Sequence, residues 1–151
     1  MTLRPHKLPA DLRANVRERA GGLCEYCHAA EAWQYVEFTV DHVVPVVAGG
    51  DSTAANLALV CFACNRRKWD RRTAADPVTG LTTRLFHPRE EEWNQHFCWS
   101  SDGATLMGLT AVGRATIAAL DLNRQRLLEI RAADLVAGRH PPAGDRRASR
   151  P

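Results

Sequence analysis

Four of the five cysteines in this chain of 151 residues fall into two Cys-x-x-Cys pairs, Cys24 with Cys27 and Cys61 with Cys64. No other feature limits the fold as tightly. Four thiolates at this spacing close a tetrahedron around Zn²⁺, each pair gripping the ion from a tight turn while the chain between them folds back. A disulfide framework is not expected. The start, MTLRPHKLPADLRANVRERA, carries no apolar run of the secretory kind, and no stretch approaches the ~18 apolar residues of a membrane span, so a cytoplasmic, reducing location is expected and a membrane partner is not. Redox or iron chemistry and unpaired buried thiols remain as alternatives to zinc. With four sulfurs supplied, zinc keeps no open position for a substrate water, so its role is structural and catalysis must lie elsewhere. Cys98, next to Trp99, reads as a small buried hydrophobe, and four cysteines leave His28 unnecessary as a ligand.

The 33 residues between Cys27 and Cys61 are too many for a compact zinc ribbon and must carry structure of their own. Before them, Pro9 to Ala20 places Leu12 and Val16 on one face among charged residues and stops at Gly21-Gly22, a short amphipathic helix. Glu37 to Val44 alternates apolar and polar residues as a strand does, with Asp41-His42 at its end and Pro45 after it. Gly49-Gly50-Asp51-Ser52 is a turn, and Asn56 to Val60 is a second apolar strand. From Phe62 to Thr73 helix formers run without a breaker. Knuckle, strand, loop, strand, knuckle and helix make a ββα unit clamped by zinc, in an α+β fold with flanking helices. Further on, a turn over Asp76 to Gly80, an extended segment from Leu81 to Phe86 and a helix from Pro88 to Phe97 are expected. Thr110 then caps one long helix reaching about Val136 and ended by Gly138. The organisation is an arm and helix over 1–23, a core over 24–75, a helical extension over 76–137 and a disordered basic tail over 138–151.

A net charge of +3 is modest but unevenly spread. Arg66, Arg67, Lys68, Arg71 and Arg72 stand against the single carboxylate of Asp70, a cluster that attracts phosphate or is merely solvated.

The string DHVVPVVAGGDSTAANLALVCFACNRRK, preceded by RERAGGLCEYC, resembles the HNH nucleases of the zinc-stabilised, four-cysteine kind, over about Arg17 to Lys68. LFHPREEEWNQHF through GLTAVGRAT is similar to the extension of small stand-alone bacterial HNH proteins. The resemblance implies a ββα-metal core and metal-dependent hydrolysis of DNA. It assigns His42 as the general base that activates water, which suits an imidazole titrating near working pH. It places a divalent ion, Mg²⁺ or Mn²⁺, on the Asp41 carboxylate and on Asn65, directly after the last zinc cysteine. For Asp41 and His42 to reach one site, the strand end must be distorted, because successive side chains alternate faces. Asn56, by itself a common turn residue, takes from the resemblance a role in bonding the loop backbone and orienting the His42 region. Lys68 is expected at the scissile or an adjacent phosphate and Arg66 and Arg67 on flanking backbone, although each alone reads equally as a solvated charge.

A zinc-stabilised DNA-binding module that has lost its chemistry is the alternative, and a thiol-redox protein the third. His87 and His96, among aromatics, read as packed core histidines. Trp69, Trp93 and Trp99 read as buried, with stacking on bases of single-stranded substrate as the other option.

Overall fold

Proline pre-sets the φ of a helical turn and a left-handed glycine ends one. Between Pro9 and Gly21, at φ 62°, runs α1 (Ala10–Ala20), with Val16 buried and the Arg13 N–H bonded to the Pro9 carbonyl. The computed structural model describes residues 7–151, so the first six residues of the expected arm lie outside the described residues. Two compact units form, Met1–Asn65 and Arg66–Pro151, and the chain passes from one to the other inside a helix. Among the described residues no helix is long and apolar enough to cross a membrane.

In the first unit, β1 (Thr39–His42) pairs antiparallel with β2 (Leu57–Val60), Thr39 opposite Val60 and His42 opposite Leu57. All four residues of β2 are buried, as befits a strand packed on both faces, and α1 lies against it. β1 is shorter than the expected Glu37–Val44 because amides at both ends are taken by side chain or turn. The Phe38 N–H donates to the Glu31 carboxylate at 2.6 Å, and the Val43 N–H to the Asn56 carbonyl at 2.8 Å. The arginines of α1 hold this arrangement. Arg17 pairs with Glu31 and donates to the Phe38 carbonyl at 2.6 Å, while Arg19 donates to the carbonyls of Ala54 and Leu57.

α2 (Phe62–Lys68) stops at Lys68 instead of continuing to Thr73. Trp69 enters the left-handed region at φ 48°, the Arg71 N–H closes on the Lys68 carbonyl, and Thr73 is drawn into a hairpin. That hairpin, in the second unit, pairs β3 (Thr73–Ala75) with β4 (Thr82–Arg84) around the expected Asp76–Gly80 turn. Asp76, fully buried, accepts from the Val78 N–H, the Thr79 hydroxyl and, at 2.9 and 2.8 Å, both forks of Arg114. Arg114 above all, with those two donors, holds the Asp76 carboxyl well below its usual 3.8 against the opposing effect of burial. A carboxyl depressed on folding adds stability that is complete above its unfolded value and is lost as the pH falls from there through the lowered folded value. The melting temperature of the parent should therefore drop more steeply than that of Asp76→Asn between about pH 5 and about pH 2. Parallel slopes would count against the pair.

The helix expected from Pro88 to Phe97 is a single turn, α3 (Trp93–His96), because Phe97 leaves as β5 (Phe97–Trp99) to pair with β6 (Leu106–Gly108). Thr110 does cap a helix, accepting from the Gly113 N–H at 3.1 Å. Yet the long helix is split into α4 (Ala111–Leu120) and α5 (Gln125–Val136). The break is tertiary in origin: Asp121 turns left-handed, Leu122 is fully buried, and the Asn123 amide bonds both the N–H and the carbonyl of Leu106 at 2.8 Å.

The segment 138–151, expected to be disordered, is tied to the buried Trp99. Trp99 donates its N–H to the Arg146 carbonyl and its indole Nε1 to Asp145, both at 2.9 Å, and His140 packs edge-on to its ring. One fixed aromatic is enough to anchor a polar, proline-rich strand whose own composition offers nothing to pack. His96 is buried as expected, 2.7 Å from Glu91 and 2.6 Å from the Thr110 hydroxyl.

Candidate metal centre

A Cys-x-x-Cys pair presents two sulfurs to one point only if the chain turns sharply between and after them. At the first knuckle the His28 N–H bonds the Cys24 carbonyl at 2.8 Å, the Cys24 N–H bonds the Ala29 carbonyl at 2.9 Å, and His28 adopts φ 58°. At the second, the Asn65 N–H bonds the Cys61 carbonyl at 2.9 Å, and the Cys64 N–H points at the Cys61 sulfur at 3.4 Å. The four sulfurs are buried and lie within 4.8 Å of one another, Cys27 and Cys61 being 3.9 Å apart. A tetrahedron built on ~2.3 Å metal–sulfur bonds has edges of about 3.8 Å, so the donors fit a tetrahedral thiophilic ion. Burial pushes the Cys24 thiol up, whereas hydrogen bonds from the other three sulfurs pull Cys61 down. A dication among them favours the deprotonated form of all four. Cys98 is buried apart from this cluster.

Sequence reasoning missed what joins the first knuckle to the sheet. Glu25 is 8% exposed, and its carboxylate accepts from the Leu59 N–H at 2.7 Å while its own N–H donates to the Leu59 carbonyl. A glutamate inside a Cys-x-x-Cys turn offers no periodicity that would flag it. The knuckle is thereby locked to β2, whose end at Val60 leads straight into Cys61.

Asp41 and His42 both belong to β1, and the ladder runs through them without a bulge, opposite Ala58 and Leu57. Directly after them the chain leaves the ladder and bends at Val43 and Val44, before Pro45. His42 Nε2 stands 2.9 Å from the Ser52 hydroxyl, which donates or accepts according to the tautomer. Ser52, in the glycine-rich turn, was another residue without a signal beyond its turn chemistry. Tyr26 is fully buried, and its phenol is pushed up first by burial and then by the charges of Asp41, Cys24 and Cys64. Asn65, half-buried, follows Cys64 directly.

Asn56 is buried behind the loop that leaves His42. Its Oδ1 accepts from the Val44 N–H at 2.8 Å, and its Nδ2 donates to the carbonyls of Val44 at 3.0 Å and Asp51 at 2.9 Å. Gly50 completes the clasp: a Cβ there would lie 1.8 Å from the Val44 oxygen, so only glycine fits. Asn56→Ala leaves these backbone groups without partners and should cost about 3 kcal/mol in denaturant unfolding. Asn56→Asp should cost at least as much at neutral pH, because an anionic oxygen then faces two carbonyls. Parent-like stability of either variant would show the clasp to be dispensable.

The basic cluster divides. Arg66 is exposed and Arg67 half-buried, but Lys68, expected at a phosphate, is 2% exposed. A long aliphatic stem and a helix end turning at Trp69 carry it inside, so its ammonium is not offered to a strand approaching from solvent.

Residues 24–71 match a model of the HNH endonuclease family. No curated protein matches the chain. The match spans both knuckles, β1, the Asn56 clasp and α2. Over the segment from Cys24 to Arg71, about a third of its length, the chain is similar to the HNH endonuclease family, and the four cysteines of that segment are gathered as a metal site would need them.

Proposed function

We propose that this protein is a metal-dependent endonuclease that hydrolyses phosphodiester bonds of DNA, with zinc on Cys24, Cys27, Cys61 and Cys64. The observation that carries the reading is the Asn56 clasp, which fixes the chain leaving His42, within a segment that matches a nuclease family. His42, half-buried and bonded to Ser52, takes the proton of the attacking water. The water oxygen forms a bond to phosphorus, the bond to the leaving sugar oxygen breaks, and that oxygen takes a proton from solvent. Asp41 and Asn65 supply hard oxygen donors, the chemistry of a Mg²⁺ or Mn²⁺ site, and Asn65 follows directly on the last cysteine of the second knuckle. Such an ion supplies electrostatic stabilisation of the charge developing on the phosphoryl oxygens. Arg66 and Arg67 hold the flanking backbone.

The test is nicking of supercoiled plasmid by the zinc-loaded protein with and without added Mg²⁺ or Mn²⁺. Relaxed circles should form only with the added ion. Binding of the plasmid without cleavage under every ion would replace this reading with that of a silent DNA-binding module.

A further inference from the structure

All three tryptophans read as buried in the sequence, with base stacking as the other option, and the structure separates them. Trp93 and Trp99 are buried at 8% and 0% exposure, whereas Trp69 is 74% exposed. Trp69 also stands in a cleft of about 700 Å³ lined by Arg66, Arg67, Asp70, Arg71 and Ala119, within the ~300–1,000 Å³ range of small-ligand sites. Three guanidiniums there oppose one carboxylate. Arg71 is steadied by the Ala119 carbonyl at 3.4 Å, at the end of α4.

The backbone adds a second, independent observation. Trp69 sits at φ 48°, just past the end of α2, a position where glycine or asparagine is the ordinary occupant and a bulky residue is strained. A strained residue whose side chain gains no burial is held by something other than packing. What an indole face beside guanidiniums recognises is a flat π-surface joined to phosphate: an unpaired base stacks on the ring while the arginines take the phosphates on either side. A base inside a duplex has no free face to offer.

We infer that Trp69, with Arg66, Arg67 and Arg71, forms a subsite for an unpaired nucleotide, so that the DNA recognised by this protein carries a single-stranded or extruded base. The inference rests on the nuclease reading for its substrate, but its test does not use cleavage.

Fluorescence anisotropy of a labelled twelve-nucleotide thymidine strand, titrated with the full zinc-loaded chain in the absence of Mg²⁺ and Mn²⁺, measures the subsite. An abasic strand of equal length carries the same phosphates without the bases. The parent should bind the thymidine strand on the order of tenfold more tightly than the abasic one. Trp69→Gly should abolish that difference while melting at or above the parent temperature, since glycine relieves the left-handed strain, and Trp69→Phe should restore most of it. A structural role would show the reverse, a lower melting temperature with the base preference intact, and overturns the subsite. Equal binding of the two strands by the parent overturns it as well. A parent that prefers the thymidine strand through Trp69 yet never nicks plasmid upholds the subsite and sinks the nuclease; a parent that nicks plasmid but binds both strands alike does the opposite.

Discussion

Cys24→Ser is expected to release the metal and unfold the first unit at temperatures where the parent is native. The cysteine is fully buried and is one of four sulfurs gathered within 4.8 Å, with no fifth donor among the described residues to take its place. Structural zinc sites carry apparent binding energies of about 10–16 kcal/mol, comparable with or larger than the ~5–15 kcal/mol of net stability of a whole domain. The strands alone cannot make up the difference. β1 and β2 are four residues each, and two-stranded ribbons of that length are marginal in water. Zinc content by elemental analysis and the melting temperature by circular dichroism should fall together. Loss of metal with an unchanged melting temperature would mean that α1, Glu25 and the Asn56 clasp suffice without it.

His42→Ala should have the second large effect, and on a different quantity. Removal of a general base typically lowers the rate by about 10²–10⁴-fold. His42 is half-buried at the edge of the glycine-rich loop, and the backbone there is fixed by Asn56 rather than by the imidazole. The variant should keep its zinc, melt within a few degrees of the parent and fail to nick plasmid under the ion that activates the parent best. Parent-like cleavage at equal zinc content would remove His42 from the proposed chemistry. Unfolding of both variants alike would dissolve the separation between an ion that shapes the domain and a side chain that acts in it.

The two effects meet in one short stretch of chain. Asn65 follows Cys64 immediately, and its N–H is part of the second knuckle. In the proposed site, the turn that binds zinc also presents an amide oxygen to the catalytic ion, so precision at one is inherited from the other. Glu25 extends this coupling to β2.

Sequence alone determined the features that depend on local geometry or fixed chemistry. Two Cys-x-x-Cys pairs need nothing but tight turns to present their sulfurs, so the metal site was legible. So were the order of elements from the first knuckle to α2, the cap at Thr110 and the turn from Asp76 to Gly80, whereas the role of Asn56 in holding a loop came from the family resemblance. Tertiary structure decided where elements stop, because the winning interactions come from residues far along the chain. Leu122 and Asn123 break a helix that propensity would continue, their partners lying at Leu106. α2 ends at Lys68 because Thr73 pairs with Arg84. The tail is ordered by Trp99, more than forty residues before it, a relation no local composition records. Charge was the least legible of all: Lys68 and Arg66 look alike in sequence, and only burial separates an ammonium held inside from a guanidinium left in water.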